Sequence, residues 1–215
     1  MLSRQDVQRL YQAGAKNYDF TTLLFRLIGL RMNTYRSIAI ERLSLKRGDV
    51  VVELGCGTGL NFPLLLEKIG EKGRLIGVDL TPGMLDIARK RVEQNSWQNV
   101  ELIQSDIAAY EFPQPLNAVL VTGVLGYIPE YDQVIKAVAD ALKPDGHLSI
   151  LDGKQPENLP LWLIKIVLKL GGQFGYTPEY FSVRPWVSVE HYFKEMSFET
   201  HYGGMIYIAS GTTGQ

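Results

Sequence analysis

Gly55-Cys56-Gly57-Thr58-Gly59 directly follows the apolar run Val50 to Leu54 and precedes a helical pattern. A backbone bare of side chains at such a turn lets a ligand approach closely, and the free N–H groups of the following helix can receive a carboxylate or a phosphate. Twenty residues after Gly59, Asp79 ends a second apolar run, where a carboxylate can accept hydrogen bonds from both hydroxyls of a ribose. Asp106 ends a third. If these runs are parallel strands, their carboxyl ends open on one crevice, and the loop and both acids converge on a site shaped for adenosine. Taken singly, the loop also reads as a tight strand-to-helix turn and Asp106 as a solvated acid. A dinucleotide fingerprint needs glycine at position 60, where this chain has Leu60, and a P-loop needs Gly-Lys-Ser/Thr, which is missing. A nicotinamide oxidoreductase is therefore disfavoured.

The elements that must position these residues alternate along the chain. VVVEL, RLIGVDL, NVELIQSD, LNAVLVTG and HLSILDG read as five strands. Between them, helices are expected from about Leu60 to Ile69, through MLDIARKRVEQ with Thr81 as cap and Pro82 at its first position, and through DQVIKAVADALKP, stopped by Pro144. Such alternation implies right-handed crossovers and a mostly parallel, doubly wound α/β sheet covered on both faces. After Gly153 an apolar helix is expected near Leu161 to Leu170 and another around Val189 to Met196, before FETHYGGMIYIAS closes the chain as an antiparallel hairpin about Gly203-Gly204. The reading is one domain: a helical lid over 1–45, a binding core over 46–153, a substrate cap over 154–186, and a last helix with the hairpin over 187–215.

Composition narrows the partners. With 215 residues, 46% hydrophobic, 21% charged and a formal net charge of -1, the chain is an ordinary globular protein without the positive field that gathers phosphates, so nucleic acid is not expected as a partner. The single cysteine, Cys56, allows neither an internal disulfide nor a multi-cysteine metal site, and no ligand cluster for a metal is visible. The polar N-terminus lacks the apolar run of a secretory signal, and the stretch Leu159 to Leu170, broken by Lys165 and Lys169, is shorter than the roughly 20 residues of a membrane span. A cytoplasmic location is expected.

The segments VVELGCGTG, GVDLTPGMLDIAR, QSDIAAYEF and LKPDGHLSI, in this order, resemble the class I S-adenosylmethionine-dependent methyltransferases, with the likeness running from about Tyr11 to Asp152. Within them the chain is similar to the small-molecule branch that contains the quinone C-methyltransferases of ubiquinone and menaquinone biosynthesis and bacterial phospholipid N-methyltransferases. The resemblance implies a seven-stranded Rossmann-like sheet and S-adenosylmethionine as cofactor, with S-adenosylhomocysteine as product. It implies that Gly55, Gly57 and Gly59 pack on the methionine part, with Glu53 fixing the loop or reaching the amino group. Asp79 would hold the ribose, Leu80 and Met84 flank the adenine, Asp106 accept from its exocyclic amine, and the N–H of Ile107 meet a ring nitrogen. Thr122 would lie beside the sulfonium, and Tyr18, from the lid, would fold over the cofactor. The segment Phe20 to Tyr35 departs from the quinone enzymes' pattern.

Methyl transfer asks the protein chiefly to align an acceptor, so a general base is optional. Tyr127, after the fourth strand, is the candidate nearest the transferred methyl; His191 and His201 could face the cap, and His147 reads as structural. The cap combines LPLWLIKIVLKL with Phe174, Tyr176, Tyr180, Phe181 and Trp186, which suits a lipophilic acceptor or contact with a membrane surface, with Arg184, Lys165 and Lys169 available to an anionic head group. The aromatics equally suit plain packing. The expected activity is methylation of a small lipophilic acceptor, a quinone precursor or amino-lipid; the alternative is an adenosyl-binding regulatory module without turnover. The fourth strand ends Thr122-Gly123-Val124-Leu125 in place of an Asn/Asp-Pro-Pro-Tyr/Phe motif, which disfavours a base-flipping N-methyltransferase.

Overall fold

The computed structural model describes residues 2–177 and 179–214. Met1, Pro178 and Gln215, which fall in the expected lid, cap and closing segments, lie outside them. The chain begins with three helices, α1 (Arg4–Gly14), α2 (Tyr18–Leu24) and α3 (Met32–Glu41), joined by tight helical turns. The alternating part follows: β1 (Val50–Leu54), α4 (Phe62–Ile69), β2 (Arg74–Asp79), α5 (Pro82–Gln94), β3 (Val100–Gln104), β4 (Leu116–Thr122), α6 (Tyr131–Ala141) and β5 (Leu142–Gly153). Then come α7 (Leu161–Leu170), α8 (Pro185–Tyr192) and the two closing strands β6 (Lys194–His201) and β7 (Ile206–Thr212).

The seven strands form one sheet in the order β3-β2-β1-β4-β5-β7-β6. β1 to β5 pair in parallel, and β7 runs antiparallel to both β5 and β6. Alternation of side chains across the pleat sends Val51, Leu75, Leu120 and Ile208 to one face, against Ala39 and Ile40 of α3 and Phe62 and Leu65 of α4. Val52, Leu54, Ile76, Val119 and Ile150 go to the other, against Val134, Ile135 and Val138 of α6 and Val189 of α8. Both faces are covered over the centre of the sheet, so β1, β2 and β4 are apolar over most of their length, whereas the edge strands β3 and β6 carry polar residues.

Three element boundaries differ from the expected ones. α6 ends at Ala141, ahead of Pro144, and β5 begins at Leu142. Leu142 pairs with Leu116 and His147 with Ala118, so residues 143–146 bulge from the ladder, and a proline is tolerated where no ladder hydrogen bond is asked of it. α8 starts at Pro185, whose ring suits the first helical turn, and stops at Tyr192, so the stretch to Met196 belongs to β6. Thr81 precedes α5 without a side-chain capping bond; it is turned toward the Asp79 carboxylate.

Candidate functional site

The carboxyl ends of β1, β2 and β4 open on a crevice crossed by the N-terminal helices. Its inner cavity is lined by Tyr11, Tyr18, Glu53, Gly55, Asn61 and Thr122, and extends to the aromatic residues Phe174, Tyr176 and Tyr180 of the segment after β5. Its outer cavity is lined by Asp79, Leu80, Asp106, Ile107, Val124 and Tyr127. Tyr11 and Gly55 line both, so the two cavities meet at the first glycine.

Glu53 is fully buried at the end of β1. Its Oε1 accepts from Asn61 Nδ2 at 2.6 Å and from the Thr122 hydroxyl at 3.1 Å, while Oε2 has no partner among the described residues. Asn61 Oδ1 is likewise buried and unpaired. Two orphaned acceptors at the wall of one cavity want a donor, and an ammonium group supplies three. Burial pushes the Glu53 carboxyl up to about 7, against the pull of its bonds from Asn61 and Thr122 and of the Arg36 charge. A carboxyl raised in this way favours the fold while protonated, and that contribution is lost as pH rises from the ordinary carboxylate range through 7. A bound ammonium reverses the preference, because it stabilises the ionised form. We expect affinity for S-adenosylhomocysteine to fall toward about tenfold per pH unit below 7 and to level off above it. Glu53→Gln should flatten that slope, and calorimetric titration from pH 5.5 to 8 measures it.

The three glycines of the loop serve different ends. All have φ between +53° and +77°. A Cβ on Gly55 would collide with Val124 and one on Gly59 with the Phe62 ring, whereas one on Gly57 would meet nothing within 4 Å. Gly57 alone is bare toward open space; Gly59 is a packing glycine. The Gly57 N–H donates to Asp79 Oδ2 at 2.9 Å and the Thr81 N–H to Oδ1 at 2.8 Å, so the Asp79 carboxylate ties the loop to the second strand end. Each oxygen keeps a lone pair for a further donor. Burial raises Asp79 and these bonds oppose it. The loop is clamped again by Asp19, which accepts from the Thr58 hydroxyl at 2.6 Å and from Arg91 at 2.5 Å.

Other expected site residues fare unevenly. Tyr18 and Thr122 line the inner cavity, and Leu80 and Ile107 the outer one. Met84 is 1% exposed in the core and lines neither cavity. Asp106 lines the outer cavity, with its Oδ2 2.5 Å from Arg4 Nε and its Oδ1 accepting from the Ala108 N–H, so it is held in place by α1 and its own loop. Tyr127 donates its hydroxyl to the Phe174 carbonyl at 2.5 Å and lies 3.2 Å from the Tyr11 hydroxyl; burial raises it well above the usual phenol. That geometry suits fastening the aromatic segment to the sheet, not taking a proton. None of the histidines lines either cavity: His147 sits in the ladder of β5, His191 is exposed beside Tyr192, and His201 stacks on Tyr35.

Sequence reading missed several members. Asn61 stands two residues past the glycine loop, a position that could have marked it. Asp152 ends β5, accepts from the Leu125 N–H at 2.9 Å and from the Tyr180 hydroxyl, and so holds the β4 loop beside the aromatic segment. Arg36 lines the inner cavity, and no motif announces it. Among the described residues no helix is long and apolar enough to cross a membrane, and no three His, Cys, Asp or Glu are grouped to hold a metal ion.

Residues 51–146 match the family described as methyltransferase domain. The chain is 35% identical over 156 residues to the demethylmenaquinone methyltransferase of Lactobacillus johnsonii, covering 72% of this chain and 63% of that protein. It therefore spans less than two thirds of that relative's length. It is 28% identical over 184 residues to the 2-phytyl-1,4-naphtoquinone methyltransferase of Thermosynechococcus vestitus, covering 81% of this chain and 79% of that one. Phosphoethanolamine N-methyltransferase 2 of Haemonchus contortus, solved in complex with S-adenosyl-L-methionine, shares the fold with a TM-score of 0.67 at 17% identity, over 85% of this chain and 53% of that one.

Proposed function

We propose that the chain is a class I S-adenosylmethionine-dependent methyltransferase that methylates a lipophilic acceptor of the quinone-precursor type; the methyltransferase-domain match over residues 51–146 and the likeness to quinone methyltransferases support this reading. The observation that carries the proposal is the junction at Gly55 of a carboxylate-edged crevice with an aromatic cavity. Asp79, Leu80 and Ile107 would hold the nucleoside, and Glu53, Asn61 and the bare face of Gly57 the amino-acid end. When bound, the cofactor supplies a methyl group on a positively charged sulfur. The chain's own part is to orient and to exclude water: Tyr11, Tyr18, Phe174 and Tyr180 wall the inner cavity, and Tyr127 and Asp152 pin that wall to the sheet.

The names of the similar quinone methyltransferases favour a ring acceptor with an apolar tail. So does the exposed apolar surface beside the inner cavity, where Leu27 is 82% and Trp162 63% exposed, with Phe20 and Leu161 also bare and Arg26, Lys165 and Lys169 exposed on the same elements as Leu27 and Trp162. Apolar and basic side chains mixed in this way suit the face of an anionic bilayer, from which such an acceptor would be drawn. A binding module without turnover gains no support, because a nucleoside-only site has no use for the aromatic cavity.

The test is transfer of labelled methyl from S-adenosylmethionine to a prenylated 1,4-naphthoquinol in anionic vesicles, with parallel titration of S-adenosylhomocysteine and NAD. We expect methylation, stimulated by vesicles, and binding of the adenosyl ligand alone. Binding of NAD alone would mean the glycine loop serves another cofactor; adenosyl binding with no methylated quinol would remove the acceptor class.

A further inference from the structure

We propose that Arg36 selects the acceptor, receiving a negatively charged oxygen substituent carried on a flat aromatic ring; this deepens the reading above and rests on it for the site's role. Arg36 lies in the middle of α3 and is 8% exposed. A guanidinium keeps its charge at any physiological pH, and a buried charge is costly unless paired. Yet among the described residues no carboxylate lies within ion-pair distance of it. Among the described residues its side chain makes one hydrogen bond, from Nη1 to Asn33 Oδ1, 3.2 Å away and one turn earlier on the same helix. A five-donor fork with a single neutral acceptor is built for an anion that arrives from outside.

The surroundings define that anion. Arg36 lines the inner cavity together with Leu30, Met32, Tyr18 and Tyr176, walls that favour an apolar ring over a hydrated ion. The charges that face it are few. Glu53 also lines the cavity, its Oε1 held by Asn61 and Thr122 and its Oε2 unpaired, but it makes no ion pair with Arg36, and the tyrosine hydroxyls are kept neutral by burial. On its other side Arg36 also lines an open groove with Arg26 and Arg31, whose acid, Asp19, is occupied by Thr58 and Arg91. Arg36 therefore stands where a positively lined entrance meets the aromatic interior. An ionised oxygen held there raises electron density on the neighbouring ring carbons, which suits an acceptor that reacts at carbon without a side-chain base.

The discriminating probes are 2-naphthoate and 2-naphthamide, equal in ring and size and different in charge. Each is titrated into the full chain with and without saturating S-adenosylhomocysteine. We expect naphthoate to bind at least about tenfold more tightly than naphthamide, the range of a charge-assisted hydrogen bond freed from water. Arg36→Met should abolish that preference while leaving naphthamide affinity within about twofold, and Arg36→Lys should retain part of it. Arg36→Gln replaces the methionine variant if that chain fails to fold. Equal binding of the two probes, binding of neither, or a preference that survives in Arg36→Met or Arg36→Gln overturns the assignment. If S-adenosylhomocysteine does not bind while the naphthoate preference holds, the cofactor reading fails and the role of Arg36 stands.

Discussion

Gly57→Val should remove binding of S-adenosylhomocysteine altogether, a loss of more than about 100-fold, while leaving a folded protein. Two effects act in the same place. The residue sits at φ +53°, a left-handed conformation in which a β-branched side chain costs about 1–3 kcal/mol. The new side chain then points where nothing lies within 4 Å, which is the space the ligand needs. Gly57→Ala should fall between the two, sharing much of the strain and little of the bulk. Substitution of Gly55 or Gly59 should behave differently, because a Cβ there drives into Val124 or Phe62 and damages packing. Calorimetric titration beside a thermal melt separates these cases; a Gly57→Val protein that binds normally would mean the ligand lies elsewhere.

Asp79→Ala should cost both stability and affinity. Its two oxygens satisfy the N–H groups of Gly57 and Thr81, and removing the carboxylate strands both, at about 1–3 kcal/mol each where water cannot replace it. The ribose hydroxyls would lose their acceptor as well, for a further ~1–3 kcal/mol in binding. Asp79→Asn is the sharper variant: it keeps the shape but turns one acceptor into a donor facing an N–H. A lowered melting temperature with weakened binding in both variants is expected. Weakened binding at unchanged stability would show that water replaces the carboxylate at the loop.

The strands and the crevice were legible because their signals are local: apolar runs bounded by glycine and acid, and a glycine loop between a strand and a helix. The same logic blurred the three glycines into one role, since spacing does not tell which faces a ligand and which faces Phe62. Boundaries failed where tertiary context overrode propensity. Residues 143–146 bulge and so admit Pro144, and the stretch around Met196 joins β6 because Lys194 and Ser197 pair with Thr212 and Ser210 of β7, with Met196 in the bulge between them. The ion pair of Asp106 went unseen because its partner, Arg4, is remote in sequence and reaches it only once α1 crosses the sheet end. Arg36 left no trace, because a charged residue on a helix ordinarily marks the solvent face.

The way α1 is held bears on how the protein spends its time. No residue of that helix is fully buried. It is tied to the crevice by polar contacts, Arg4 to Asp106, Gln8 to the Leu80 carbonyl and the Gly83 N–H to Gln12, and by Tyr11, whose ring packs against Tyr18, Tyr127 and Phe174. Each polar tie is worth no more than about 1 kcal/mol net, so the stretch of the helix ahead of Tyr11 can part from the sheet at a fraction of the cost of global unfolding. The rim of the outer cavity is thus covered by a weakly held helical turn. In the proposed reaction, exchange of spent for fresh nucleoside would need only fraying of that stretch, with Tyr11 and the aromatic pocket left in place from one turnover to the next.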